Sequence, residues 1–327
     1  MSKIIIGIHG LGNKPPQKLL KRWWFQAIKE GLKTIRHPDT HFHFELVYWA
    51  DILHPEPLNP SEKDEKSPFY IENPYVPATS IERKPPSELR KKVLDFIEDK
   101  MDKIFLNEDM SAKFSSITDM IIRRYFTDLD LYYSTTCKDE DNKSRLAKEI
   151  IRERLARVLK RHAHHQILLV AHSMGSIIAF EVLNQLPEGI QIDTLVTAGS
   201  PLGQPMVMGK VFAELKTESV DYAMLKTPEN VSRNWYNLSD LEDKVTINYS
   251  LADDYPVNNK GIGPVDKIVY NNYIYDNKRN PHKSYGYLRT PEMADIIYDF
   301  LIRDRNKLAF WFSNRINMVI TKIFRKI

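Results

Sequence analysis

Apolar residues come in two patterns along this chain, short unbroken runs and helically spaced stretches, and their alternation is the first structural signal. Residues 3–9 read Lys-Ile-Ile-Ile-Gly-Ile-His, a run too continuous for a half-exposed strand and suited to one buried on both faces. A glycine-rich turn follows, His9-Gly10-Leu11-Gly12-Asn13. Leu20, Trp23, Trp24, Ala27, Ile28, Leu32 and Ile35 then fall at helical spacing and predict a helix over 17–35. Residues 42–49, rich in aromatic and β-branched types, predict a second strand. Strand, turn, helix, strand is the opening of a doubly wound α/β sheet.

The pattern breaks at about residue 53. Residues 53–86 carry many prolines and few apolar runs, which predicts a loop or irregular cap. Residues 87–106 regain helical spacing through Leu89, Val93, Phe96, Ile97, Met101 and Ile104, with Ser87 as N-cap and Glu88 in the first turn. Residues 110–126 read as a further helix. The span 53–136 is therefore an insertion, either a cover over a functional site or a peripheral decoration.

Regular alternation then resumes. Residues 145–161 form a basic amphipathic helix, and 166–172 a strand that passes into helix-like spacing by Phe180. Strands follow at 192–198 and 234–238, with Gly199-Ser200-Pro201-Leu202-Gly203 after the first and the acidic turn 239–245 after the second. Residues 267–275 predict the last strand. Thr290 before Pro291 is an N-cap with proline at the first helical position, starting a helix through Met293, Ile296, Ile297 and Phe300. The expected organisation is a mostly parallel α/β domain over 1–302, interrupted at 53–136, with a separate tail at 303–327. Neither an internal repeat nor a low-complexity tract breaks this scheme.

Composition changes the picture in three places. At 327 residues the chain is long enough for one large core or two modest ones. The single cysteine, Cys137, excludes an internal disulfide and fits a reducing compartment. The apolar run after Met1 is too short for a secretory signal, and no stretch reaches the ~18 apolar residues of a spanning helix, so a soluble, cytoplasmic protein is expected. The net charge of +4 belongs to the tail: Arg303, Arg305, Lys307, Arg315, Lys322, Arg325 and Lys326 face only Asp304, leaving the body net negative. That body offers nothing for nucleic acid. The tail has a broad apolar face, from Leu308 through Phe312, Ile316, Val319 and Ile320 to Ile323 and Phe324, which suits packing on the body or another subunit, or contact with an anionic membrane surface.

The chemistry centres on Ala171-His172-Ser173-Met174-Gly175, where a buried strand becomes a helix. A serine between two small residues at such a sharp turn presents its hydroxyl above the sheet edge, in front of the free N–H groups of the helix start. Of ten histidines only His282 follows Ser173, in the polar loop between the last predicted strand and the last helix. An imidazole that takes a serine proton needs a carboxylate to hold its tautomer. Asp243 and Asp240, both just after a strand, are the leading choices, with Asp253 and Asp254 behind them.

Together His9-Gly10-Leu11-Gly12, Ala171–Gly175, Gly199–Gly203, Asn234–Val245 and Asn280-Pro281-His282 resemble the lipase-like serine hydrolases of the α/β-hydrolase superfamily. The similarity spans most of the chain except 53–136 and 303–327, and Ala171 stands where that family usually has glycine. It implies hydrolysis of a carboxylic ester, a lipid or thioester included, through an acyl-serine, with Ser173, an acid and His282 in that order. Asp243 precedes Val245 by two residues, an Asp-x-Val arrangement similar to that of related lipases, which favours it over Asp240. The resemblance also implies an oxyanion hole from the backbone N–H groups of Leu11 and Met174, supported by His9 and Gly10, and no metal or cofactor.

Two other readings compete. One is a non-catalytic protein that keeps the fold and binds partners or a membrane surface. The other is metal-dependent hydrolysis at His41 and His43 or at His162, His164 and His165, whose spacing matches no metal signature and better suits a solvated basic face.

Overall fold

The unbroken apolar runs become the inner strands of one sheet. A computed structural model of the protein describes residues 2–92, 94–95, 129–187, 189–218 and 224–303. In chain order the elements are β1 (Lys3–Ile8), α1 (Gln17–Thr34), β2 (His43–Val47), α2 (Ala50–Leu53), β3 (Thr136–Lys138), β4 (Ser144–Leu146) and α3 (Ala147–Arg161). They continue with β5 (Gln166–His172), α4 (Met174–Gln185), β6 (Ile192–Ala198), α5 (Pro205–Glu218), β7 (Val231–Ser239) and β8 (Pro264–Ile268). The chain closes with the short strands β9 (Ile274–Tyr275) and β10 (Lys278–Arg279), then α6 (Ser284–Leu288) and α7 (Pro291–Ile302). Residues 88–92, 94–95 and 129–134 are also helical.

Six strands form a parallel sheet in the order β2-β1-β5-β6-β7-β8. Alternating side chains divide between its faces, which is why the strands read as continuous apolar runs. Ile4, Ile6 and Ile8 join a cluster with Leu155 of α3, Ile178 of α4 and Val211 of α5. Ile5 points the other way, to Trp24 and Ile28 of α1 and to Met293 and Phe300 of α7. The chain leaves β1 for β2 on one side and returns as β5 on the other. That reversal opens a crevice beyond the carboxyl ends of β1 and β5, where open α/β sheets bind ligands.

Several expectations shift. β7 runs from Val231 rather than 234, and α5, which the apolar pattern did not single out, follows Gln204. Helix α3 starts at Ala147, because residues 144–146 pair with 136–138 in a small hairpin. The strand expected over 267–275 splits. Val269 N–H still reaches the Ser239 carbonyl at 2.9 Å, but Asn271 N–H turns to the Asp240 carboxylate at 2.7 Å. The Asn271 amide then holds the Pro281 and Lys283 carbonyls, and Ile274–Tyr275 pair with Lys278–Arg279 instead. Thr290 caps α7 as expected, accepting from Met293 N–H at 3.3 Å. Ser87 Oγ likewise accepts from Arg90 N–H at 3.3 Å. The remainder of the 87–106 helix, the 110–126 helix and the tail after Arg303 lie outside the described residues. Among those described, no helix is long and apolar enough to cross a membrane.

The proline-rich span is tied to the domain by polar contacts rather than a core of its own. Leu58 N–H bonds to the Lys14 carbonyl at 2.9 Å, Tyr75 Oη to Glu30 at 2.7 Å, and Arg289 to the Val76 carbonyl at 2.8 Å. At the other end of the insertion, Tyr132 and Tyr133 donate to the fully buried Glu181 of α4 at 2.7 and 2.6 Å. Arg152 of α3 completes the cluster at 2.8 Å from Glu181. Burial raises the Glu181 carboxyl above its usual range, and the arginine and the two hydroxyls oppose this. Removing the cation alone strands a buried carboxylate, so Arg152→Met is expected to cost about 3 kcal/mol in urea unfolding, and adding Glu181→Gln, which removes the charge and keeps an acceptor for the tyrosines, to recover part of it.

Candidate functional site

Where β5 ends, Ser173 adopts φ 54° and ψ −129°, a conformation that side chains other than glycine rarely take. Its N–H is held by the Ala198 carbonyl at 3.0 Å, and its carbonyl by Ser176 N–H at 2.8 Å and Ser176 Oγ at 2.6 Å. Surrounding backbone thus fixes the strained residue from both sides. The glycine two residues on is required by β1: a Cβ on Gly175 would lie 2.7 Å from the Ile8 carbonyl oxygen and 2.8 Å from that of His9. A Cβ on Gly10 would sit 2.7 Å from Ser173 Cβ. The loop after β1 therefore rests directly on Ser173.

Three chain segments meet at this hydroxyl. His282, in the loop before α6, has Nε2 2.9 Å from Ser173 Oγ. Its Nδ1 lies 2.8 Å from Oδ2 of Asp243, whose carboxylate is fully buried behind it. The Asp243 carboxylate has two more donors, Tyr287 Oη at 2.7 Å and Val245 N–H at 2.9 Å. That last bond gives the Asp-x-Val spacing its physical meaning, since the aspartate closes a turn onto the backbone two residues later. Hydroxyl, imidazole and carboxylate linked in this way can move a proton off the serine and stabilise the imidazolium that results.

Asp240 has a different place. It accepts from Asn271 N–H at 2.7 Å and Glu242 N–H at 2.9 Å and pairs with Arg279. Burial raises its carboxyl, and these partners oppose the rise. It organises the loop after β7 and does not touch His282. Asp254 receives the Asn248 amide at 3.3 Å and Asp253 the Ser250 hydroxyl at 3.0 Å, so both belong to loop structure.

His9 braces the loop that covers Ser173. Its Nδ1 donates to the Gly10 carbonyl at 2.7 Å, and its Nε2 accepts Trp49 N–H at 3.1 Å. The ring stacks on Trp49 at a centroid distance of 4.9 Å. Burial, with the Lys14 charge adding to it, holds this imidazole well below its usual pKa, so it is neutral as the two bonds require. In a trans peptide the carbonyl and the following N–H point in opposite directions. Anchoring the Gly10 carbonyl on His9 consequently turns the Leu11 N–H away from His9. Among the described residues, neither the Leu11 nor the Met174 N–H is given to another protein group.

Three contributors had no role assigned by the sequence. His172, beside the serine, donates from Nε2 to the His282 carbonyl at 2.8 Å and fixes that loop. It is buried and held well below its usual pKa by burial and by the adjacent His282. Tyr287 accepts Asp240 N–H at 3.0 Å while donating to Asp243, joining the two aspartates. Gly199, at φ 57°, leaves no room for a side chain: a Cβ would lie 2.9 Å from the Tyr287 ring and 3.1 Å from Asp243 Oδ2. His172 and Gly199 lay within motifs that carry the resemblance, next to Ser173 and at the end of a buried strand, but nothing in the sequence pointed to Tyr287. Elsewhere, His162 pairs with Glu45 at 2.7 Å.

A cleft of about 700 Å³ opens over Ser173 and His282. Leu11, Trp23 and Tyr285 line it together with Leu58, Tyr70 and Ile71 of the proline-rich segment. Part of the insertion thus stands beside the serine. No protein-family model matches the chain, and no curated protein matches it.

Removing the Tyr287 hydroxyl strands the buried Asp240 N–H and strips a donor from Asp243. Tyr287→Phe is expected to lower stability by about 1–3 kcal/mol, read by chemical denaturation with intact far-ultraviolet circular dichroism.

Proposed function

We propose that this protein is a serine hydrolase of the α/β-hydrolase fold that cleaves a carboxylic ester or thioester through an acyl-serine intermediate. The observation that carries the reading is the unbroken path from Ser173 Oγ through His282 to the buried Asp243, at 2.9 and 2.8 Å, on a serine held at positive φ.

In this reading a substrate carbonyl lies between Ser173 and the N–H groups of Leu11 and Met174. Ser173 Oγ attacks the carbonyl carbon as His282 Nε2 takes its proton. Asp243 holds the Nδ1 proton in place and offsets the positive charge on the ring. The carbonyl oxygen becomes an oxyanion facing two backbone donors, one aimed by His9 through the Gly10 peptide and one at the start of α4. Collapse expels the alcohol or thiol, which receives the proton from His282. Water, deprotonated by the same imidazole, then frees the acid. The neutrality of His9 and His172 suits this role, because both rings can hold the scaffold without competing for the transferred proton. The apolar side of the cleft suits an acyl chain or aromatic group.

A fluorophosphonate probe is expected to label the protein once, with labelling abolished by Ser173→Ala. His282→Ala and Asp243→Asn are each expected to reduce p-nitrophenyl ester turnover by about 10⁴-fold. A folded protein that neither reacts with the probe nor hydrolyses any ester of graded chain length would overturn the proposal and leave a binding role.

A further inference from the structure

The cleft holds a cation that the proton relay does not use. Lys283 follows His282 directly and lines the cleft with Ser173. Its main chain is fixed, since its carbonyl accepts the Asn271 amide at 2.8 Å and Gly286 N–H at 3.1 Å. Its ammonium lies 5.2 Å from the centre of the Tyr285 ring, and that ring is held edge-on by Trp23 and Tyr75 at 5.9 and 5.6 Å. Among the described residues the ammonium has neither a hydrogen bond nor an ion pair. A half-buried cation on a rigid aromatic platform, without a counter-ion in contact, is costly unless a ligand supplies one.

The surrounding charges set what that ligand carries. Lys14, the other lysine of the cleft, donates to the Leu11 and Gly12 carbonyls and is spent on the loop after β1. Glu65 and Glu72 also line the cleft, and the Glu72 charge favours the ammonium form of Lys283 without touching it. Burial acts against that charge and pushes the ammonium down to about 8. An ammonium with no hydrogen-bond or ion-pair partner among the described residues can take one anionic group in direct contact, and the Glu65 and Glu72 carboxylates that line the same cleft repel a dianion more strongly than a monoanion.

We infer that Lys283 is a specificity residue that binds a single anionic group, such as a carboxylate, on the ester substrate. The inference rests on the ester-hydrolase reading and adds the substrate class: an apolar or aromatic ester with one negative charge close to the scissile bond. The charge sits on either the acyl or the alcohol part, and each position has its own probe.

Two matched pairs test it. On the acyl side, the p-nitrophenyl monoester of adipic acid is compared with p-nitrophenyl hexanoate. On the alcohol side, 4-acetoxybenzoate is compared with its methyl ester. The wild-type protein is expected to favour the anionic member of at least one pair by about tenfold in kcat/KM. Lys283→Met is expected to abolish that preference, and Lys283→Arg to retain most of it. Fluorophosphonate labelling of Ser173 is read in parallel for every variant. Normal labelling and turnover without an anion preference in either pair, or a preference that survives Lys283→Met, overturns the specificity proposal alone. Absence of both labelling and turnover overturns the hydrolase reading itself, and this inference with it.

Discussion

Everything at the site depends on how closely the carboxyl ends of β1 and β5 approach each other. Gly175 lies against the Ile8 and His9 carbonyls, and Gly10 lies on Ser173, at distances that exclude a Cβ on either glycine. Backbone on backbone leaves no slack, so the loop after β1 and the turn after β5 form one rigid unit. The strain at Ser173 persists because the Ala198 carbonyl and Ser176 hold it from outside. A looser packing would let the serine relax to an ordinary helix cap and draw its hydroxyl away from His282.

Burial sorts the histidines. His9 and His172 are enclosed and neutral, and each holds a backbone carbonyl: Gly10 for the first, His282 for the second. His282 keeps partial exposure, with its ring open to the cleft and its other nitrogen on Asp243. One side-chain chemistry thus serves as brace in two places, while the third, open to the cleft, has the access that the proposed proton transfer needs. Asp240 and Asp243 divide in a similar way. Both are buried after β7, yet one faces a backbone turn and Arg279 while the other faces an imidazole, with the Tyr287 hydroxyl spanning the two.

The proline-rich segment adds what the parallel sheet lacks, a second wall. It builds no core and relies on contacts to the loop after β1, to α1 and to Arg289. This gives the cleft a lining that combines apolar and aromatic side chains with the charges of Lys14, Lys283, Glu65 and Glu72. In the proposed hydrolase, these charges and the aromatic platform under Lys283 would set substrate choice, and the Ser173–His282–Asp243 path would set the reaction.

The sequence by itself determined the layered α/β plan, because strands buried on both faces must be continuously apolar and the helices that cover them must repeat at their own period. It also singled out Ser173 and His282, since a serine between small residues at a strand end and a lone downstream histidine are local or ordinal facts. Tertiary structure decided the rest. Asp243 and Asp240 both follow the same strand; the Asp-x-Val spacing favoured Asp243, and the fold is what brings that carboxylate, not Asp240, to His282. The expected strand over 267–275 ends early because Asn271 finds partners, Asp240 and the 281–283 backbone, that are distant in sequence. His172, Tyr287, Gly199 and Lys283 acquire their roles only by convergence: hydrogen bonds, close approach and desolvation depend on which segments meet in space, and spacing along one chain does not encode that for residues so far apart.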